Sequence, residues 1–202
     1  MSDFTALKTT LEKKGYQVSC FATGAEAADY LDRSIDGKTV GFGGSMTLQT
    51  LDLMQRLGTH NTVCSHNQPA PGQDPQSLRR QAMSAEVYLC SANALAESGE
   101  IVNIDGCGNR VSGTLFGHQK VYYVIGKNKL APDLEQAIWR ARNIAAPKNA
   151  QRLHRKTPCA VKADRCYDCD SPERICRGLV VLYQKMTSCA AEVVLIDEEL
   201  GY

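Results

Sequence analysis

Four cysteines in the last quarter of the chain, Cys159, Cys166, Cys169 and Cys176, follow CxxxxxxCxxCxxxxxxC, a spacing symmetric about one CxxC pair. A thiolate is a soft anionic ligand, and a CxxC turn delivers two of them from one short loop. Four together are the donor set of a tetrahedral zinc ion or of a [4Fe–4S] cluster. Lys162, Arg165, Arg174 and Arg177 lie among them and offset their charge. Spacing does not separate zinc from iron–sulfur, a pair of disulfides would use the same residues, and His154 is an alternative to Cys159 as a ligand. The other cysteines, Cys20, Cys64, Cys90, Cys107 and Cys189, read as small core residues or a surface thiol.

A second place for chemistry is VGFGGSMTLQTLDL, residues 40–53. A dinucleotide fingerprint would require glycine where Met46 stands, and a P-loop would require Lys followed by Ser or Thr, so neither is present. What remains is a strand ending in Gly41, Gly43 and Gly44, with Ser45, Met46 and Thr47 opening a helix. Backbone N–H groups and two hydroxyls then converge as they would on a phosphate or carboxylate. The plainer alternative is that the glycines permit close packing while Ser45 or Thr47 caps the helix.

Residues 91–113, SANALAESGEIVNIDGCGNRVSG, gather Asn93, Glu97, Asn103, Asp105, Asn109 and Arg110 around Gly99, Gly106 and Gly108. Glycine and asparagine tolerate left-handed backbone, so DGCGN is readable as a plain turn. The mix of acid, amide and guanidinium is also the inventory of a site for a hydroxyacid, a sugar or a phosphate, with Asp105 or Glu97 as the candidate general base. A third piece, GKNK at 126–129, follows an apolar run, and Gly126, Asn128 and Lys129 would open on the same edge as the glycine turn if the sheet is parallel. The histidines His60, His66, His118 and His154 form no spaced pair, although His66 lies in a loop that can reach such a pocket. No GxSxG or HExxH motif occurs.

Positioning these residues requires alternating elements. Phe4, Leu7 and Leu11 predict a helix over 3–14, YQVSCFAT a strand, GAEAADYLDRSI a second helix, KTVGFG a strand, and Met46 to Leu57 a further helix. SHNQPAPGQDP, residues 65–75, reads as a loop, and VYLCSA, EIVNI and KVYYVIG as buried strands, with Tyr122, Tyr123 and Trp139 assigned to the core and a helix face. Asp133 caps a helix over 133–145 that Pro147 is expected to end. GLVVLYQKM and AEVVLIDEEL predict two strands, forming a hairpin on the sheet edge. The organisation expected is an α/β domain over 1–153, a Cys-rich module over 154–178, and C-terminal strands over 179–202 that return to the main sheet. Helices alternating with buried strands imply a three-layer α/β fold with a mainly parallel sheet.

At 202 residues, with 23 Lys+Arg against 22 Asp+Glu, the chain has a formal charge of +1. Such a balance gives no field that calls for nucleic acid or an anionic membrane, and points to a small anionic metabolite. No apolar run approaches the ~20 residues that span a bilayer, and the first residues lack an apolar signal segment, so a cytoplasmic protein is expected.

Taken together, VGFGGSMTLQTLDL, SANALAESGEIVNIDGCGNRVSG and VIGKNKLAPDLEQAIWRARNIAAPKNAQRL resemble the LUD domain family, named for lactate utilization proteins. The RCxxCxSPxRIC segment is similar to that of short family members. The resemblance implies the broad fold class of ribose-phosphate isomerases, glucosamine-phosphate deaminases and CoA transferases, in which the glycine turn commonly binds sugar phosphate, CoA or acyl groups. It also implies a role in lactate-type oxidation beside an iron–sulfur or other redox partner. The expected function is binding of a hydroxy- or oxo-carboxylate, or a phosphorylated relative, as an oxidoreductase subunit. The alternatives are a non-catalytic sensing or assembly subunit and an isomerase or acyl-transfer enzyme. A homodimer is the default assembly.

Overall fold

Runs rich in Val, Ile, Tyr and Leu with no polar alternation belong to strands buried on both faces, and such strands form the centre of this molecule. The structure is a computed structural model describing residues 3–67, 69 and 71–202; Gln68 and Ala70, in the expected loop at 65–75, lie outside the described residues. The chain runs α1 (Thr5–Lys13), β1 (Gln17–Phe21), α2 (Gly24–Ser34), β2 (Thr39–Phe42), α3 (Met46–Thr50), α4 (Leu53–Leu57), β3 (Thr62–Cys64), α5 (Pro75–Ala82) and β4 (Val87–Cys90). It continues through β5 (Ala94–Ala96), β6 (Ile101–Asp105), α6 (Asn109–Leu115), β7 (Lys120–Gly126), β8 (Leu130–Ala131), α7 (Leu134–Arg140), α8 (Ala146–Arg152), α9 (Pro158–Lys162), β9 (Gly178–Leu182) and β10 (Ala190–Ile196).

The main sheet has the order β1-β10-β7-β4-β2-β3, and every neighbouring pair in it is parallel. A smaller sheet, β8-β5-β6-β9, is mixed. One face of the main sheet packs on Ala27, Ala28 and Leu31 of α2, Leu48 of α3 and Leu53 and Leu57 of α4. The other meets Leu7 and Leu11 of α1 and Ala82 of α5, together with Leu95, Ile101 and Leu182 of the smaller sheet. Side chains alternate along a strand, so Ala94, Ala96 and Val102 face the opposite way, onto Ala137, Ala141 and Ala146 of the long helix. The result is the expected layered α/β architecture with a mainly parallel sheet. Among the described residues no helix is long and apolar enough to cross a membrane.

Three sequence expectations need correction. The helix expected from Met46 to Leu57 is broken between α3 and α4 at Leu51 and Asp52, where Asp52 takes φ 50°. Leu51 and Leu53 are both buried, and two residues apart on one helix they would point about 200° apart, so the break lets both reach the core. Pro147 does not end the helix begun at Leu134: a π-helical turn over Ala141–Ala145 joins α7 to α8, and Pro147 stands at the start of α8. A π-turn shifts the carbonyls away from the usual partner positions, which relieves the ring clash and absorbs the missing donor of proline. Finally, β9 and β10 form no edge hairpin: β9 pairs antiparallel with β6 in the smaller sheet, while β10 lies inside the main sheet between β1 and β7. The apolar run AAEVVLI suits that buried position, and the half-exposed GLVVL suits an edge.

Candidate functional site

Because the strands of the main sheet are parallel, their C-terminal ends share one edge, where open α/β sheets place ligands. Chain order reverses between β2, which continues to β3 on one side, and β4, which pairs with β2 on the other. At that crevice Gly44, Ser45 and Met46 follow β2, His66 and Asn67 follow β3, Ser91, Ala92 and Asn93 follow β4, and Lys129 follows β7. Asp105, Gly106, Asn109 and Arg110 close it from β6 and α6, and Asn149, Arg152 and Arg155 from the end of the long helix. They line a cleft of about 400 Å³. Its lining carries the guanidiniums of Arg79, Arg110, Arg152 and Arg155 against the single side-chain carboxylate of Asp105, so its field favours an anion.

Lys129 is 3% exposed, and its Nζ donates to Thr47 Oγ1 (2.8 Å) and Ser91 Oγ (2.9 Å). Thr47 in turn donates to Leu200 O at 3.1 Å. Burial, with the guanidiniums of Arg140 and Arg110 adding to it, pulls the Lys129 ammonium down to about 7. Arg140, itself buried, donates to Asn128 O at 2.9 Å and to Asn93 O; burial pulls its guanidinium down to about 10.

Asp105 is committed to backbone. Its Oδ1 accepts from Cys107 N (3.0 Å) and Gly108 N (2.9 Å), and its Oδ2 from Val111 N (3.3 Å), so it fixes the DGCGN turn and the first turn of α6. Arg110 is equally occupied: Nη1 donates to Ser91 O and Asn103 Oδ1, and Nη2 to Asn93 Oδ1 (3.1 Å) and Ile104 O (2.7 Å). Arg110, expected among the residues of a ligand site, is thus held by protein acceptors, and it braces the cleft wall and lends it charge. Asn109 projects into the cleft with no side-chain hydrogen bond among the described residues.

The expected residues thus divide. Gly44, Ser45, Met46, Asn93, Asp105, Gly106, Asn109, Arg110 and Lys129 come together in the cleft. Thr47 and Asn103 stand directly behind it, as partners of Lys129 and Arg110. Gly41, Gly43 and Gly126 serve packing: a Cβ on Gly43 would meet Arg110 Cγ at 3.0 Å and Tyr88 Oη at 3.1 Å, and one on Gly41 would meet Ala82 O at 2.4 Å. At Gly126 a Cβ would meet Glu198 O at 2.7 Å. Gly108, at φ 83°, is the N-cap of α6. Asn128 binds Leu200 N (3.0 Å) and Gly201 O (3.2 Å), so it fastens residues 198–201 over the edge instead of facing a ligand. Glu97 is exposed at the β5–β6 turn, the far end of a hairpin whose other end carries Asn93 and Asp105. At roughly 3.3 Å per residue it lies more than ~10 Å from the cleft, which removes it as the base. The anion cradle at α3 is also weaker than expected, because α3 is five residues long and Ser45 Oγ accepts from Leu48 N at 3.3 Å.

Several lining residues escaped sequence reasoning. Ser91 follows the buried strand VYLC, so the edge argument that marked the glycine turn also marks it. Arg140, behind the lining, flanks the apolar stripe of its helix, where a charge gives no signal, and it holds Asn128 O and Asn93 O. Arg79 has no signal either; its Nε and the Nδ1 of His66 are buried without a hydrogen-bond partner among the described residues. Burial and the nearby charge of Arg79 hold His66 below its ordinary pKa, so its imidazole is neutral.

The four C-terminal cysteines line a second cavity, of about 230 Å³, with Thr157, Tyr167, Arg174, Arg177, Ala146, Pro147 and Ala150. All four are unpaired thiols. Thr157 Oγ1 lies 3.3 Å from Cys159 Sγ, and Asp168 N donates to Cys166 Sγ at 3.4 Å, with Asp168 at φ 47° in the CxxC turn. A hydrogen bond to Cys176 and its charge push the Arg174 guanidinium up, keeping it cationic beside the thiols. Among the described residues no three His, Cys, Asp or Glu side chains stand close enough to share one metal ion. Ile104 and Ile175 line both cavities and form a common wall.

The fold and cleft define an α/β protein with a cation-lined crevice at the sheet edge, and comparison with known proteins agrees on the fold. The family model for the LUD domain matches residues 5–196, and the chain belongs to the LUD domain family. A solved structure, the crystal structure of a DUF162 family protein from Deinococcus radiodurans, superposes with a TM-score of 0.56 at 10% identity, covering 95% of this chain and 94% of that one. No curated protein matches the chain.

Proposed function

We propose that this chain binds a small hydroxy- or oxo-carboxylate in the cationic cleft and takes part in lactate-type oxidation, with a [4Fe–4S] cluster held by Cys159, Cys166, Cys169 and Cys176. The observation that supports this reading is that Ile104 and Ile175 line both the cleft and the cysteine cavity, so that an anion in the one and a redox group in the other would stand on two sides of one residue layer.

The four thiols line one cavity, and among the described residues no three His, Cys, Asp or Glu side chains share a point where a single ion would sit. A cluster would take one thiolate at each of several irons, and the lactate-type oxidation that the family suggests favours it over zinc. Bound there, it would supply one-electron redox capacity. Arg174 offsets the thiolate charge, and Thr157 Oγ1 and Asp168 N hydrogen-bond sulfur, the kind of contact that tunes such a centre.

In the cleft, the carboxylate of the ligand lies against Arg79, Arg152 and Arg155, with the Asn109 side chain available to its other oxygens. Asp105 and Arg110 hold the wall in shape. Among the described residues the one side-chain carboxylate of the cleft lining, Asp105, is bound to backbone N–H groups, which counts against an isomerase running on paired acids. A redox partner would reach the cluster from outside, and a sensing subunit would use the same cleft without turnover.

The test is protein purified without oxygen, assayed for iron, acid-labile sulfide and absorption near ~400 nm, and melted with lactate, pyruvate or phosphate. Iron and sulfide lost in Cys166→Ser, and stabilisation by an oxo- or hydroxyacid lost in Arg79→Ala, are expected. Stoichiometric zinc would overturn the redox half, and no stabilisation by any of the three anions would overturn the cleft half.

A further inference from the structure

Among the described residues of the cleft lining, Lys129 carries the basic side chain that is buried nearly completely, and its surroundings differ from those of a salt-bridging lysine. Among the described residues its side-chain partners are hydroxyls, Thr47 Oγ1 at 2.8 Å and Ser91 Oγ at 2.9 Å. No carboxylate bonds its Nζ among the described residues, and Asp105, the acid of the cleft, spends both oxygens on backbone N–H groups. Arg110 and Arg140 add positive charge nearby, and both are held by their own acceptors. Desolvation plus like charge favours the neutral amine. A neutral amine is a poor anchor for an anion and a good nucleophile, and burial of a lysine beside other cations is how amines are activated for carbonyl chemistry.

We propose that Lys129 forms a covalent imine with the ketone of a 2-oxo-carboxylate bound in the cleft. This rests on the reading of the cleft as a site for such acids. The lone pair of Nζ forms the N–C bond to the carbonyl carbon, and the carbonyl oxygen takes a proton to give a carbinolamine. The C–O bond then breaks, water leaves, and loss of the nitrogen proton leaves C=N. The condensation consumes amine and ketone and releases one water, with no change of oxidation state. Thr47 and Ser91, each within hydrogen-bond reach of Nζ, are placed to carry the proton between nitrogen and the departing oxygen, and Ser91 Oγ lies 3.4 Å from Thr47 Oγ1. The arginines of the cleft hold the carboxylate, so the amine is left for the ketone.

The full chain is incubated with pyruvate and cyanoborohydride, then analysed by intact mass and by peptide mapping, in parallel with thermal melting in pyruvate alone. One reduced adduct per chain on the peptide carrying Lys129 is expected, forming at least ten-fold faster than adducts on exposed lysines such as Lys127, and at least ten-fold slower in Ser91→Ala. Lys129→Met should lose it. Mapping in the unaltered chain decides the matter even if that variant fails to fold. Adducts spread evenly over surface lysines, or none while pyruvate still raises the melting temperature, would overturn the imine and leave the cleft reading intact. No adduct, together with no thermal shift in pyruvate, lactate or phosphate, would sink both.

Discussion

Replacing Lys129 with Met tests the buried amine through stability alone. Folding pulls this ammonium from the ordinary lysine value of ~10.4 to about 7. Between those values the unfolded chain holds a proton that the folded chain has released. Stability therefore rises with pH across that window, by about 1.4 kcal/mol per pH unit. From pH ~7 to ~9 the unaltered protein should gain about 2–3 kcal/mol relative to Lys129→Met, which has nothing to titrate there. Cysteines and tyrosines that titrate nearby are common to both proteins and cancel in the difference. The loss of hydrogen bonds to Thr47 and Ser91 adds only a constant offset. Urea denaturation of both, under reducing conditions and at pH steps from ~6 to ~9, measures the difference directly. A difference that stays flat across that range would mean that Lys129 keeps its proton in the fold, and the argument for a neutral nucleophile would fail.

Three further outcomes are expected. Glu192 is buried, and although burial opposes its ionisation, hydrogen bonds from Lys120 (2.7 Å), Ser19 (2.7 Å) and Tyr30 (2.7 Å) hold its carboxyl below the ordinary range. Glu192→Gln should cost about 1–3 kcal/mol near neutral pH by denaturant titration, a gap that closes as pH falls below the usual carboxylate value of ~4.3 and through the lowered folded value, where Glu192 itself protonates. Asp105→Asn keeps one acceptor oxygen for the DGCGN turn and should cost about 1 kcal/mol, with Asp105→Ala costing about 2; equal stability of all three would show that the cap is dispensable. Gly43→Ala places a Cβ 3.0 Å from Arg110 Cγ, so a loss of about 1–3 kcal/mol with weaker anion-induced stabilisation is expected in thermal melts.

The main sheet was readable because its strands carry their own signal. VYLC, and KVYYVIG after its opening lysine, are apolar throughout, as strands covered on both faces must be, and the parallel edge then grouped the glycine turn with GKNK before any coordinates. The smaller sheet was not readable, since β5 and β8 are three and two residues long and too short to display a period. That omission misplaced Glu97: in sequence it is four residues from Asn93, but the hairpin of β5 and β6 puts the two at opposite ends. The proximity of the four cysteines was legible in their spacing, whereas the wall they share with the cleft depends on Ile175 meeting Gly106, a long-range contact with no local signature. His66 reaches the cleft from a proline-rich segment whose path no periodicity sets, and Arg79 from α5, the helix that follows that segment.

The π-turn at Ala141–Ala145 is one residue too many for an α-helical register, and each residue advances a helix by about 100°. Before it, Arg140 points to the strand ends of the anion cleft; after it, Ala146, Pro147 and Ala150 face the cysteines, and Asn149 and Arg152 face the cleft again. Deleting one residue there would rotate the latter half by nearly a third of a turn and turn the alanine face off the sulfur chamber. The helix therefore works as a cam whose phase sets both chambers at once, so that neither can be reshaped by sliding this helix without disturbing the other.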